Sequence, residues 1–193
     1  MTALHVLQVL HGVTAVLMAW PFYALLITGE RARLGPPLDR TDTYMETLIR
    51  HQTVRCLVYQ VTLLITGPLI VVMKAGSAAP AILAGGNLRV LAKEGLVLLL
   101  LGMALYMHFY LQPRINRLVA DGAPSAEARS ALARLRGRRR WMAAVCLWYV
   151  LVAVTLGLQV WQPFGRSLTL VMAGVAALFV VRVHRTRMRW GWV

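Results

Sequence analysis

Apolar residues run through this chain in five long blocks, roughly 3–28, 53–73, 90–112, 142–162 and 167–183, and arginine crowds the segments between them. A helix rises 1.5 Å per residue and needs about 20 apolar residues to cross a hydrocarbon core. The first four blocks meet that length, and the shorter fifth carries no charge from Ser167 to Val181. The pattern predicts an all-α integral membrane bundle of about five transmembrane helices in a single domain. The predicted bounds are about 3–28, 43–73, 90–112, 141–162 and 167–184, with a cytoplasmic surface helix at about 125–137.

Composition agrees. With 59% hydrophobic residues and a mean hydropathy of +0.62, a soluble domain of this size would expose large apolar patches and aggregate. The net charge of +14 comes almost wholly from arginine, since only Lys74 and Lys93 are lysine. It gathers in 29–55, in 113–140 and in the tail after Arg182, while the 74–93 and 163–166 connections are poor in it. Positively charged loops stay on the cytoplasmic side, which predicts an outside N-terminus and an inside C-terminus. The charge is therefore a record of topology and of attraction to anionic lipid at the cytoplasmic face, and no nucleic-acid partner is expected. The first block lacks the basic lead of a cleavable signal peptide and is expected to be a retained helix. Cys56 and Cys146 lie in different blocks without a CxxC spacing, which disfavours disulfide, zinc-ribbon and iron–sulfur readings.

Local signals refine the elements. Thr43-Tyr-Met-Glu46 has capping-box spacing, so the second helix is expected to start near residue 43 and carry Arg50, His51 and Arg55 at the membrane surface. Gly35-Pro36-Pro37 breaks the chain before it. Gly67-Pro68 predicts a kink, with the Thr62 and Thr66 hydroxyls available to the freed carbonyl. The Gly-rich 75–88 stretch reads as an interfacial external loop. Ser125 is placed to cap the surface helix, which Gly137 and Arg138-Arg139-Arg140 are expected to end. The six tryptophans fall mostly near predicted interfaces, as aromatic belts do. An inverted-repeat transporter is disfavoured because no internal repeat is visible.

Ionisable groups within a span are costly and mark function. Antiparallel threading sorts them into two clusters. The outer one holds His5, Gln8 and His11 of the first helix with Lys93 and Glu94 of the third. His5 and His11 lie about 9 Å apart along the axis and point about 120° apart, so each needs partners from another span. His5 and His11 are candidates for holding haem, and with Glu94 they are the metal candidates, or a proton-relay or cation site. Lys93 and Glu94, as sequence neighbours, are expected to face different ways. The inner cluster pairs His51 with His108, two imidazoles on neighbouring helices as a b-type haem requires, with Arg55 one turn away to meet a propionate and Tyr106 and Tyr110 alongside. Met103, Met107 and His108 make a softer alternative for copper.

Ala3-Leu-His5-Val-Leu followed by Gly12, Leu91-Ala-Lys93-Glu-Gly-Leu-Val through Tyr106-Met-His108, and Val160-Trp-Gln-Pro163-Phe164 together resemble the CopD-like superfamily of small membrane proteins. That group includes copper-resistance D proteins and HemJ-type protoporphyrinogen oxidases. The resemblance implies b-type haem association and importance for His5 and Lys93. The chain departs from the family pattern in a longer lysine-to-histidine interval, in Arg140-Trp-Met-Ala where the fourth helix opens with Asn-Glu-Pro, and in its fifth helix.

The function expected is binding of haem b, or of copper, within the bundle, with a part in electron transfer or in haem or copper handling. Two alternatives stand beside it. One is a non-catalytic accessory or anchoring subunit docking a membrane-complex partner or a second copy as a homodimer. The other is a small proton-coupled transporter using Glu94 and His11. Whether the chain is an enzyme is left open; no nucleophile elbow, HExxH or phosphate-binding glycine loop is present. The expected location is the bacterial inner membrane, multi-pass.

Overall fold

The computed structural model describes residues 2–28, 40–81, 88–122, 125–161 and 165–185. Within them the chain is an all-α bundle with five helices long and apolar enough to cross a membrane: Ala3–Leu26, Thr43–Ala78, Leu88–Ala120, Ala126–Leu158 and Ser167–Arg185. We call these spans one to five. Bonds between their ends fix antiparallel threading. His11 of span one meets Thr66 late in span two, whereas Glu46 early in span two meets Gln112 late in span three. The bundle thus has an arginine-poor end and an arginine-rich end.

Spans one to four surround the core. Met18, Phe22 and Leu26 of span one pack with Leu100 and Leu111 of span three and Leu147 of span four, all nearly inaccessible. Span five lies at the edge, held to span four. There Trp148 donates its indole N–H to the Ala173 carbonyl at 3.3 Å, and Arg140 donates to the His184 carbonyl at 2.7 Å. Trp148 therefore serves a contact between spans. The outward face is apolar, with Val58 57%, Phe109 70%, Leu170 73% and Leu178 71% exposed. Such a surface is a liability in water and the ordinary lining of a lipid contact.

Several boundaries differ from those predicted. Span one is two helical segments, Ala3–Leu17 and Ala19–Thr28, broken just before Pro21, which has no N–H to give the Leu17 carbonyl. The second helix, Arg40–Ala75, begins before Thr43. The capping box does not form: the Thr43 carbonyl accepts from the Thr47 hydroxyl, and Glu46 takes guanidinium partners instead. Pro68 frees the Leu64 carbonyl, yet Thr62 and Thr66 donate to the carbonyls of Val58 and Thr62, neither of which is the freed group.

Span three does not end near 112. It passes through one π-helical turn, Met107–Leu111, and runs on as Gln112–Ala120. The surface helix and span four are one 36-residue helix, Ala126–Trp161, about 54 Å long against a hydrocarbon core of about 30 Å. Ser125 caps it as expected, its Oγ accepting from the Ala128 N–H at 3.0 Å. Gly137 does not end it, because the flanking Arg136, Arg139 and Arg140 are anchored to neighbouring spans. Beyond Ala75 the chain makes two short turns, Gly76–Ala78 and Ala79–Ala81. The remainder of the expected external loop, Gly35-Pro36-Pro37, Arg31, Arg33, Trp190 and Trp192 lie outside the described residues.

Candidate functional site

The outer cluster assembles around His11. Its Nδ1 lies 2.7 Å from Thr66 Oγ1, and the Thr66 hydroxyl spends its hydrogen on the Thr62 carbonyl at 2.7 Å. Thr66 can therefore only accept from His11, which puts the imidazole proton on Nδ1. In the neutral ring Nε2 is then a bare acceptor. A hydrogen bond from the far ring nitrogen of this kind is what orients a histidine that ligates a metal. No hydrogen bond to Nε2 is made among the described residues.

Gly67 completes the setting. A Cβ there would lie 2.9 Å from Glu94 Oε1 and 3.6 Å from His11 Cε1, so the carboxylate and the imidazole converge on the notch that glycine leaves. Lys93 and Glu94 do not point apart. Both line the same cavity, with Lys93 Nζ 3.8 Å from Glu94 Oε1 and each side chain only about a fifth exposed. Long flexible side chains bend back to one place although their Cα–Cβ bonds diverge.

The cavity measures about 520 Å³, within the range of small-ligand sites. Gln8, His11, Lys74, Lys93 and Glu94 supply its polar groups. Its walls are apolar and come from four spans: Ala15 and Met18, Leu63 and Ile70, Val97, and Ala153 and Val154. Gln8, three residues from both histidines of span one, thus belongs with His11. His5 does not line the cavity; it is exposed and bonds Thr2 Oγ1.

The inner pair does not assemble. His51 is exposed, donating from Nδ1 to the Thr47 carbonyl of its own helix at 2.8 Å, and Arg55 is exposed as well. The residues of span three that face His51 across a shared pocket are Asn116, Val119 and Ala120. The Glu46–Gln112 bond sets the register of the two helices and leaves His51 and His108, five and four residues further into the bundle, at similar depth. The expected match in depth therefore holds, but no contact between the two rings is made among the described residues, and His51 bonds the backbone of its own helix instead. His108 sits in the π-turn, edge-on to Phe109 at 4.8 Å, and its buried Nδ1 has no partner among the described residues. Tyr106 and Tyr110 stack at 5.0 Å, with Arg138 over the first and Arg114 over the second. Met103 is contacted by the Cys146 thiol at 3.8 Å. Among the described residues no three His, Cys, Asp or Glu side chains are grouped to hold a metal ion.

Sequence reasoning missed the strongest polar feature. Glu46, buried at the arginine-rich end, is bound through both carboxylate oxygens by Arg139 and at 3.0 Å by Arg136. Gln112 donates to it at 2.9 Å and accepts from Arg139 at 3.0 Å. Spans two, three and four are thereby joined. The signal was present: Arg136 and Arg139 are three apart on one helix face, and Glu46 is one of only 7 acidic residues for 21 basic ones.

No family model matches this chain, and no curated protein or solved structure matches it either.

Proposed function

We propose that this multi-pass protein binds one b-type haem in the His11 cavity and works in one-electron transfer or haem handling within a bacterial inner membrane. The observation that carries the reading is the His11 ring itself. Its tautomer is fixed by Thr66, and its Nε2 is free on an apolar-walled cavity of about 520 Å³. The residues fit the group: apolar walls suit a macrocycle, a neutral imidazole suits the iron, and two lysines at the polar end suit propionates. Bound haem supplies one-electron chemistry. The chain's part is to present His11 Nε2, keep water from the apolar walls, and hold a carboxylate at Glu94 beside the imidazole to exchange a proton.

This reading keeps the cofactor expected from the sequence and, of the two candidate clusters, favours the outer one on span one over His51 and His108. It also keeps Lys93 of the CopD-like resemblance while replacing His5 with His11. Expression under haem-replete conditions, followed by a pyridine haemochrome assay on the purified full chain, tests it. About one haem per chain is expected. Colourless protein that takes up no added haem would overturn it.

A further inference from the structure

A second pocket, of about 550 Å³, opens at the arginine-rich end between spans two and three. Its polar side carries Thr43, Thr47, Arg50, His51 and Asn116, and its apolar side is Val54 with Val119. The hydrogen-bond arithmetic of this pocket leaves donors over. Thr47 has given its hydrogen to the Thr43 carbonyl. Asn116 accepts from Gln112 through Oδ1 at 2.9 Å, and no bond from its two amide hydrogens is made among the described residues. Arg50, exposed, makes no ion pair among them either.

Charge points the same way. The one carboxylate among the described residues lining the pocket, Glu46, is already claimed by Arg136 and Arg139. That group carries one net positive charge, and Arg50 adds another. A site with unspent guanidinium and amide donors and excess positive charge suits a phosphate oxyanion.

The apolar side identifies the source of that phosphate. Val54 begins an exposed stripe on span two at helical spacing, continuing through Val58, Val61 and Ile65, which are 45%, 57%, 47% and 57% exposed. The stripe leads from the pocket towards the middle of the bilayer, the course an acyl chain takes when its headgroup is held at the surface.

We propose that this pocket is a one-to-one site for an anionic phospholipid. Its phosphate meets Arg50 and Asn116, and an acyl chain lies along Val54, Val58, Val61 and Ile65. This is distinct from the diffuse attraction that any arginine-rich face exerts, which falls away with salt.

Native mass spectrometry of the full chain, released from phosphatidylcholine nanodiscs containing phosphatidylglycerol, tests it. One retained phosphatidylglycerol per chain is expected, surviving moderate salt. Arg50→Gln should weaken retention about ten-fold, as loss of a charged hydrogen bond implies, while Arg50→Lys retains most of it. Arg134→Gln, which removes an exposed charge outside the pocket, should leave it unchanged. Equal losses in the Arg50→Gln and Arg134→Gln variants would show a diffuse field and overturn the proposal. So would equal retention of phosphatidylcholine, or displacement of the lipid by millimolar inorganic phosphate, which would mark a site for a soluble anion. Arg50 lies at the far end from the His11 cavity, so haem content serves as an independent readout of folding in every variant.

Discussion

Replacing Glu46 with glutamine preserves shape and removes the charge on which two guanidiniums converge. Glu46 and Arg139 are only 7% and 6% exposed, and Arg136 15%, so water screens the group weakly. Removing one partner from a buried ion pair costs about 3–5 kcal/mol, chiefly by stranding the other charge. Arg136 has the easier route to the surface and can relax, which places the cost of Glu46→Gln near the lower limit, about 3 kcal/mol. For a chain of this length that corresponds to a fall in Tm of roughly 6–12 °C. Arg136→Gln leaves the two-oxygen contact with Arg139 in place and should cost about 1 kcal/mol. The double change Glu46→Leu with Arg139→Met should be less harmful than Glu46→Gln, because apolar groups can replace a buried pair without stranding a charge. Cys56 and Cys146, 2% and 0% exposed, provide the assay: a thiol-reactive fluorophore labels them only as the bundle opens during heating in detergent. A Glu46→Gln protein that melts with the wild type, or an Arg136→Gln protein that loses as much, would refute the reasoning.

Three further outcomes follow from particular contacts. Gly67→Ala sets a methyl group 2.9 Å from Glu94 Oε1, the far end of a flexible side chain; it should displace Glu94 from His11 at little cost in stability, read as lower haem content at nearly unchanged Tm. Thr66→Val removes the oxygen that orients the His11 ring, and haem affinity measured by titration should fall about 10–100-fold at nearly unchanged Tm. Ser125→Ala deletes the cap on the Ala128 N–H and should lower stability by about 1 kcal/mol, with no change in haem content.

Much of the architecture was legible because it rests on local physics. Apolar block length set the spans, Ser125 marked a helix start, and arginine placement separated the two ends. Antiparallel threading also brought His11 and Glu94 to one depth, as the sequence implied. What escaped depended on partners far away in the chain. Thr43 and Glu46 have capping-box spacing, yet Glu46 gains more from Arg139, 93 residues later, than from its own backbone. The arginines around Gly137 looked like a stop but act as anchors that carry the helix through. Lys93 and Glu94 looked divergent because backbone direction was given more weight than side-chain reach. His51 and His108 do share a depth, as their helix positions implied, but His51 bonds its own helix's Thr47 carbonyl and His108 sits in a π-turn that the sequence does not announce.

The most direct test of the central claim is the absorption spectrum of His11→Gly protein before and after added imidazole. The wild type should show a Soret band that is lost in His11→Gly and returns when imidazole enters the space left by the missing ring. The band should persist in a His51→Ala, His108→Ala double variant. An unaltered band in His11→Gly, or its loss in the double variant, would contradict the assignment of the site to span one.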